Sequence, residues 1–256
     1  MTREVAGDLS FSLVDEASFD AIARPARAGS RCQTCDYWER LDGTRDAPPD
    51  DETGSAMRTN AKRSRLLAGA QLAGAYGMLA WRNDRQGARI AVGWAQFGPL
   101  SLYPRAQAIR ERYPQLPDSP APWVITCLQV LDEGDRDAGA LALIEAVCDE
   151  LDRRGITSVE AFPEGVADPW QPSPGPRSGY EAAGFSRAAG DDRYPVMRRE
   201  LTGSFEEVGW GDMLARTKPD AEEDDAWPFP QRKGPREGDV FRLPPKPTKP
   251  NPFGDE

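Results

Sequence analysis

The sequence predicts an α/β (α+β) chain with a mixed, mostly antiparallel central sheet, flanked by helices and followed by a proline-rich C-terminal tail. Three stretches predict it. Trp123–Leu131 (WVITCLQVL) is the most apolar segment, as a strand buried on both faces must be. Behind it Leu141, Ile144, Val147, Cys148 and Leu151 recur at helical spacing, and Ile156–Phe162 (ITSVEAF) follows as a strand. Strand, helix and strand in that order make a βαβ unit with a right-handed crossover. Gly77–Trp81 and Ala88–Phe97, joined by RNDRQG, read as an antiparallel hairpin.

The remaining elements follow along the chain. DLSFSLV at 8–14 is a first strand, and the polar, turn-rich 45–56 is a loop. Residues 57–75 carry helix formers despite Gly69 and Gly74. PRAQAIRER at 104–112 is a short helix opened by Pro104. Arg153 and Arg154 suit the end of the long helix 139–154, and Gly155 suits its stop. A proline-rich loop spans 163–177, SGYEAAGF at 178–185 is a short helix ending at Gly184, and Arg193–Leu201 closes the sheet. The division is a domain over 1–202 and an appendage over 203–256. Nine of the 24 prolines fall in those last 54 residues, so no compact core is expected there. Phe205–Arg216 reads as one amphipathic helix and Asp220–Asp225 as solvated acidic chain. The end is polyproline-like; Pro244-x-x-Pro247-x-Lys249 meets a loose pattern for a protein partner with an aromatic groove.

Composition excludes several functions. With 32 basic and 42 acidic residues the net charge is −10, against a nucleic-acid binder, which needs a basic face. No apolar run reaches the ~18 residues of a membrane span. MTREVAGDLSF has no apolar leader core, so a cytoplasmic protein is expected. Histidine is absent, which removes Ser-His-Asp and Cys-His catalysis and His-ligated zinc. Cys32 and Cys35 form one CxxC without a second ligand pair, so no metal is expected; packing and redox use of the pair are both open. Cys127 and Cys148 lie in apolar runs, where cysteine acts as a small hydrophobe.

Three features carry chemistry. The apolar strand leads through a polar turn into a helix opened by small residues (VITCLQVLDEGDRDAGALALIEAV), where free N–H groups and the dipole can hold a phosphate. Tyr180-Glu-Ala-Ala-Gly184-Phe185 follows the next strand, and PVMRREL follows that. Together, over about 8–202, they resemble the GNAT acyltransferase superfamily, whose enzymes move an acyl group from acyl-CoA to an amine. RCQTCDYWE at 31–39, with VGWAQFGPLSLYPRA at 92–106, resembles a GNAT subgroup with a CxxCxYWE segment.

The resemblance implies acetyl-CoA or another acyl-CoA as co-substrate, its pyrophosphate held by the turn after the central strand. Without gaps, Asp135, Ala138 and Ala140 occupy the three positions of the family's Arg/Gln-x-x-Gly-x-Gly/Ala turn; a one-residue shift places Arg136, Gly139 and Leu141 there instead. Asp137 lies between. Either way the turn diverges from the family pattern, and in the gapless register an acid stands near the pyrophosphate. The backbone of Leu128, Gln129 and Val130 is the expected partner of the pantetheine arm and of the developing oxyanion. Tyr180 matches the tyrosine that protonates the leaving thiolate. Glu160 and Glu39 are the candidate bases, beside deprotonation through water. Tyr37 and Trp38 are candidate walls of the acceptor site, Trp38 equally a core anchor. The expected function is therefore N-acyl transfer by direct attack of an amine, on a small molecule or a protein. The alternative is a catalytically silent protein of the same fold whose tail binds a partner.

Overall fold

The structure is a computed structural model and describes residues 9–25, 31–42, 52–70, 74–131, 136–163 and 175–203. Asp135 and the tail beyond Gly203, with its expected helix, acidic run and PxxP stretch, lie outside the described residues. The strands are β1 (Ser10–Leu13), β2 (Gly77–Asn83), β3 (Arg89–Pro99), β4 (Trp123–Val130), β5 (Ser158–Ala161), β6 (Ser186–Gly190) and β7 (Pro195–Glu200). The helices are α1 (Glu52–Leu67), α2 (Pro104–Arg110), α3 (Arg136–Arg153) and α4 (Arg177–Ala182), with a 3-10 turn at Phe19–Ala23.

The strands form one sheet, ordered β1-β2-β3-β4-β5-β7-β6. Only β4 and β5 pair in parallel; the other neighbours are antiparallel. The sheet is thus mixed and mostly antiparallel, with the apolar strand at its centre, as its composition requires. The hairpin closes at Asp84, whose carboxylate accepts the N–H of Gln86 and Ala88, while Gly87 takes φ +81°.

Each face of the sheet has its own core. On one, Val92, Ala95, Phe97, Ile125, Leu128 and Val130 meet Leu143, Ile144, Val147 and Leu151 of α3 and Tyr180 of α4. On the other, Leu79, Trp94, Val124 and Cys127 meet Phe19, Ile22, Cys32, Trp38, Leu66 of α1, Tyr103 just before α2 and Ala106 within it.

Both α3 and α4 end the same way. Gly155 (φ +75°) donates to Asp152 while Ile156 donates to Leu151. Gly184 (φ +81°) donates to Glu181 while Phe185 donates to Tyr180. These are the paired bonds of a Schellman stop, which needs a residue at ease with positive φ.

Four expectations are corrected. Glu52–Ala56 is the start of α1 rather than loop, and α1 stops at Leu67, well short of 75. Helix α3 begins at Arg136, three residues before its apolar face. Strand β6 is not among the predicted elements, because SRAAG is mostly exposed and has no apolar alternation. Consequently β7 does not close the sheet: it lies between β5 and β6, and β6 is the edge.

Candidate active site

The central strand carries a β-bulge. Opposite β3, Gln96 pairs with Cys127 and Phe97 with Ile125, leaving Thr126 as the extra residue. A bulge bends its strand and resets the alternation of side chains. Here it turns Cys127 to the α1 face and Leu128 to the α3 face. Pairing of β4 with β5 ends at the same place: Trp123, Val124 and Ile125 meet Val159, Glu160 and Ala161, and no register continues beyond.

The strand past the bulge therefore offers its backbone on one side. The Leu131 N–H donates to the Val92 carbonyl at 2.8 Å. In antiparallel pairing alternate residues face the partner, so Gln129 and Cys127 also point their N–H and C=O groups at β3. The N–H and C=O groups of Leu128 and Val130 point the other way, to the side on which β5 pairs with β4 only as far as Ile125. Gly175 crosses over Leu128; a Cβ there would come within 2.5 Å of the Leu128 Cδ2.

The first turn of α3 abuts this strand end. A Cβ on Gly139 would lie 3.0 Å from the Val130 Cγ1, so the missing side chain is what lets helix and strand meet closely. Ala140 is buried against α4, Leu141 packs on the core edge, Ala138 is half-buried, and Arg136 and Asp137 are exposed. The opening N–H groups of an α-helix have no intrahelical acceptor. Leu128, Gln129, Val130 and Arg136–Leu141 thus converge at one place. Smallness at 139 and 140 also serves packing, a reason the sequence could not separate from close approach of a phosphate.

Tyr180 lies beneath this corner on α4, fully buried in the α3-face core with its ring edge-on to Phe185 at 5.2 Å. Burial pushes its phenol well above the ordinary range, with the Cys148 and Cys127 thiols adding to the effect. It is therefore a protonated hydroxyl at neutral pH, the form in which a proton donor must start.

Glu39 sits on the opposite face of the sheet. Its Oε1 accepts the Lys62 ammonium at 2.5 Å and the Gln96 amide at 2.9 Å. Lys62 also donates to the Gln96 Oε1 at 2.6 Å, and the Tyr103 hydroxyl, 3.4 Å from the Gln96 amide, donates to the Phe97 carbonyl. The Lys62 and Glu39 side chains are only 3% and 4% exposed. Burial would favour the neutral carboxyl, but the Lys62 ammonium and the Gln96 amide outweigh it and hold Glu39 below its ordinary value. The Glu39 Oε2 is buried and accepts no hydrogen bond among the described residues.

Cys32, Cys35 and Cys127 surround this pair, and all three thiols are raised by burial, Cys32 to about 11. Among the described residues no group of acidic or thiol side chains is arranged to hold a metal ion.

Trp38 is buried and packs on Phe162, just past β5, while half-buried Tyr37 carries the Arg105 guanidinium 3.9 Å over its ring. Glu160 is not beside Glu39's open oxygen. Its carboxylate is fully buried between Arg110 (2.8 Å) and Arg198 (2.9 Å), which tie β5 to α2 and β7. With an oxygen given to each guanidinium, it serves as a structural ion link and is poorly placed to take a substrate's proton.

Lys62, Gln96, Tyr103 and the bulge residue Thr126 are the parts that sequence reasoning missed. Lys62 and Gln96 lie 23 and 57 residues from Glu39 along the chain. The one local signal is Lys62 a helical turn before buried Leu66, on the inward stripe of α1.

No family model and no curated protein matches the chain. Among solved structures it is similar to a ribosomal-protein-S18-alanine N-acetyltransferase from Escherichia coli, at 14% identity over 79% of this chain and 100% of that one, TM-score 0.40. A PaiA N-acetyltransferase from Thermoplasma acidophilum in complex with coenzyme A matches at 13% identity, 76% and 99% coverage and TM-score 0.39. A candidate GNAT-family acetyltransferase from Desulfovibrio desulfuricans matches at 16% identity, 75% and 99% coverage and TM-score 0.43. Similarity at this level assigns no chemistry, which rests on the residues themselves.

Proposed function

We propose that this protein is an N-acyltransferase that moves an acetyl or related acyl group from acyl-CoA to an amine by direct attack. The observation that carries the reading is the coincidence of the Thr126 bulge with the end of β4–β5 pairing, beside the first turn of α3. On this reading strand N–H groups and helix N–H groups face the same cofactor. The Leu128 and Val130 backbone would pair with the amides of the pantetheine arm. The N–H groups of Arg136, Asp137, Ala138 and Gly139 would hold the pyrophosphate, with the Arg136 guanidinium offsetting the Asp137 carboxylate beside it.

The proton-handling groups lie on opposite faces of the bulged strand. An amine adds to the thioester carbonyl, whose oxygen gains charge that a strand N–H can stabilise. As the carbon–sulfur bond breaks, Tyr180 gives its proton to the thiolate. The nitrogen loses its proton to Glu39, directly or through one water. Between the two acids named from the sequence, the open Oε2 favours Glu39 and the double guanidinium clamp disfavours Glu160.

The test is binding of acetyl-CoA and CoA by calorimetry, followed by acetyl transfer to an amine panel read by mass spectrometry. Ligand at about 100 times its dissociation constant raises native stability by about 2.7 kcal/mol. Micromolar binding with transfer to an amine supports the reading. No stabilisation at millimolar ligand overturns it.

A further inference from the structure

Residues of the CxxCxYWE segment gather around one buried ammonium, that of Lys62, and the proposed function leaves it unused. Lys62 reaches in from α1, Glu39 from the segment after the CxxC, and Gln96 from β3. Gln96 faces Cys127 across the ladder, and Cys127 is the first residue past the bulge. The Glu39 carboxylate is thus placed over the Gln96–Cys127 pair, one residue from Leu128 and its outward N–H.

We propose that Lys62 is the positioning residue for Glu39: with Gln96 it holds Oε1, and so presents Oε2 as the carboxylate oxygen that takes the proton of the acceptor amine. The proposal rests on the acyltransfer reading and deepens it.

Two physical arguments support it. A buried carboxylate without a cation beside it neutralises itself by taking a proton, and a protonated carboxyl cannot act as a base. Lys62 is the cation facing Glu39. The other groups around the carboxylate are the Cys32 and Cys35 thiols of its own segment, the Gln96 amide, the Cys127 thiol on β4 and the Tyr103 hydroxyl before α2. None of these supplies positive charge. The second argument is geometric. A carboxylate anchored only for bulk would have both oxygens satisfied, since an unmet buried acceptor costs about 1–3 kcal/mol. Here Oε1 takes two donors and Oε2 takes none among the described residues, although the side chain is sealed from solvent. The pattern is that of a group held by one end with the other end reserved for a donor.

The experiment compares wild type, Lys62→Met and Lys62→Arg on the full chain. One readout is the pH profile of kcat/KM for acetyl transfer. The other, independent of turnover, is the titration of the Glu39 carboxyl by carbon NMR of glutamate-labelled protein, its signal identified by its loss in Glu39→Gln. In Lys62→Met the Glu39 titration and the acid limb of the profile are both expected to move to higher pH, with activity reduced about tenfold or more below the shifted limb and recovering above it. Lys62→Arg keeps both low. CoA affinity, set on the other face of the sheet, stays the same in all three. Wild-type turnover with a Glu39 titration or acid limb unmoved in Lys62→Met overturns the role of Lys62 alone. A wild type that acetylates no amine overturns the acyltransfer reading and takes this role with it.

Discussion

The Phe185 N–H donates to the Tyr180 carbonyl at 2.9 Å, and the two rings meet edge to face 5.2 Å apart. The Tyr-x-x-x-Gly-Phe pattern is thereby accounted for by helix termination alone. Tyr180 supplies the carbonyl, Gly184 the positive φ, and Phe185 the returning N–H and the apolar contact that accompanies such a stop. Only the Tyr180 hydroxyl lies outside that account, so the hydroxyl is where a catalytic role must be tested. Tyr180→Phe preserves the stop, the ring contact and the burial. Its melting temperature should stay within a few degrees of wild type. If Tyr180 protonates the thiolate, kcat falls by about 10²–10⁴-fold, and single-turnover transfer from acetyl-CoA measures it.

Gly184→Ala tests the stop without touching chemistry. Among the described residues nothing beyond its own chain neighbours lies within 4 Å of where its Cβ would be, so the cost is that of holding an L-residue at φ +81°. About 1–2 kcal/mol is expected, read as a lower urea midpoint at unchanged slope.

Much of this fold was legible, and what was not has a physical reason. β4 and α3 declared themselves because each buries a long apolar face, so composition and period agreed on them. β6 did not, since an exposed edge strand need not alternate. The strand half of the candidate site was visible as an apolar run, yet the bulge within it was not: whether Thr126 is paired or extra depends on which residue of β3 lies opposite. Glu39 is legible in the sequence only as an acid near a CxxC. That it is anchored by Lys62 and Gln96 arises only when α1 and β3 are brought together over it. Glu160 shows the reverse case, a carboxylate that looks catalytic on a strand until two guanidinium groups from distant segments occupy it.

Gly139 links packing to the proposed cofactor binding. Gly139→Val places a branched side chain where even a Cβ meets Val130 at 3.0 Å, so the first turn of α3 must lift from β4. Overpacking of this kind costs about 1–3 kcal/mol. The same displacement should weaken CoA binding, measured by calorimetry, far more than it weakens the Lys62–Glu39 pair on the opposite face.

Glu160→Gln separates scaffold from catalysis. Removing the charge takes the shared anion from Arg110 and Arg198, each of which keeps a second carboxylate, Asp118 at 3.2 Å and Glu200 at 2.6 Å. Breaking a buried pair costs about 3–5 kcal/mol where the charge left behind is uncompensated, so a smaller loss is expected here. The expected result is a measurable loss in unfolding free energy, while transfer per folded molecule keeps its rate and its pH profile. A profile whose acid limb vanished in this variant would return the base role to Glu160.

The pH dependence of stability carries the last prediction. Glu39 is lowered in the folded state by the Lys62 ammonium and the Gln96 amide, so the native protein binds its proton less readily than the unfolded chain does. Stability from this group is therefore complete above the ordinary glutamate value and is lost as pH falls through the lowered folded one. Lys62 is raised by its carboxylate partner despite burial, so its contribution is complete below the ordinary lysine value and disappears only as pH rises through the raised one. The pair should consequently support the fold undiminished across the neutral range and fail at acid pH. Urea unfolding from neutral to acid pH should show a steeper decline for wild type than for Glu39→Gln, whose curve starts lower and lacks this component. Parallel curves would mean that Glu39 titrates alike folded and unfolded, and that the ammonium beside it does not hold it charged.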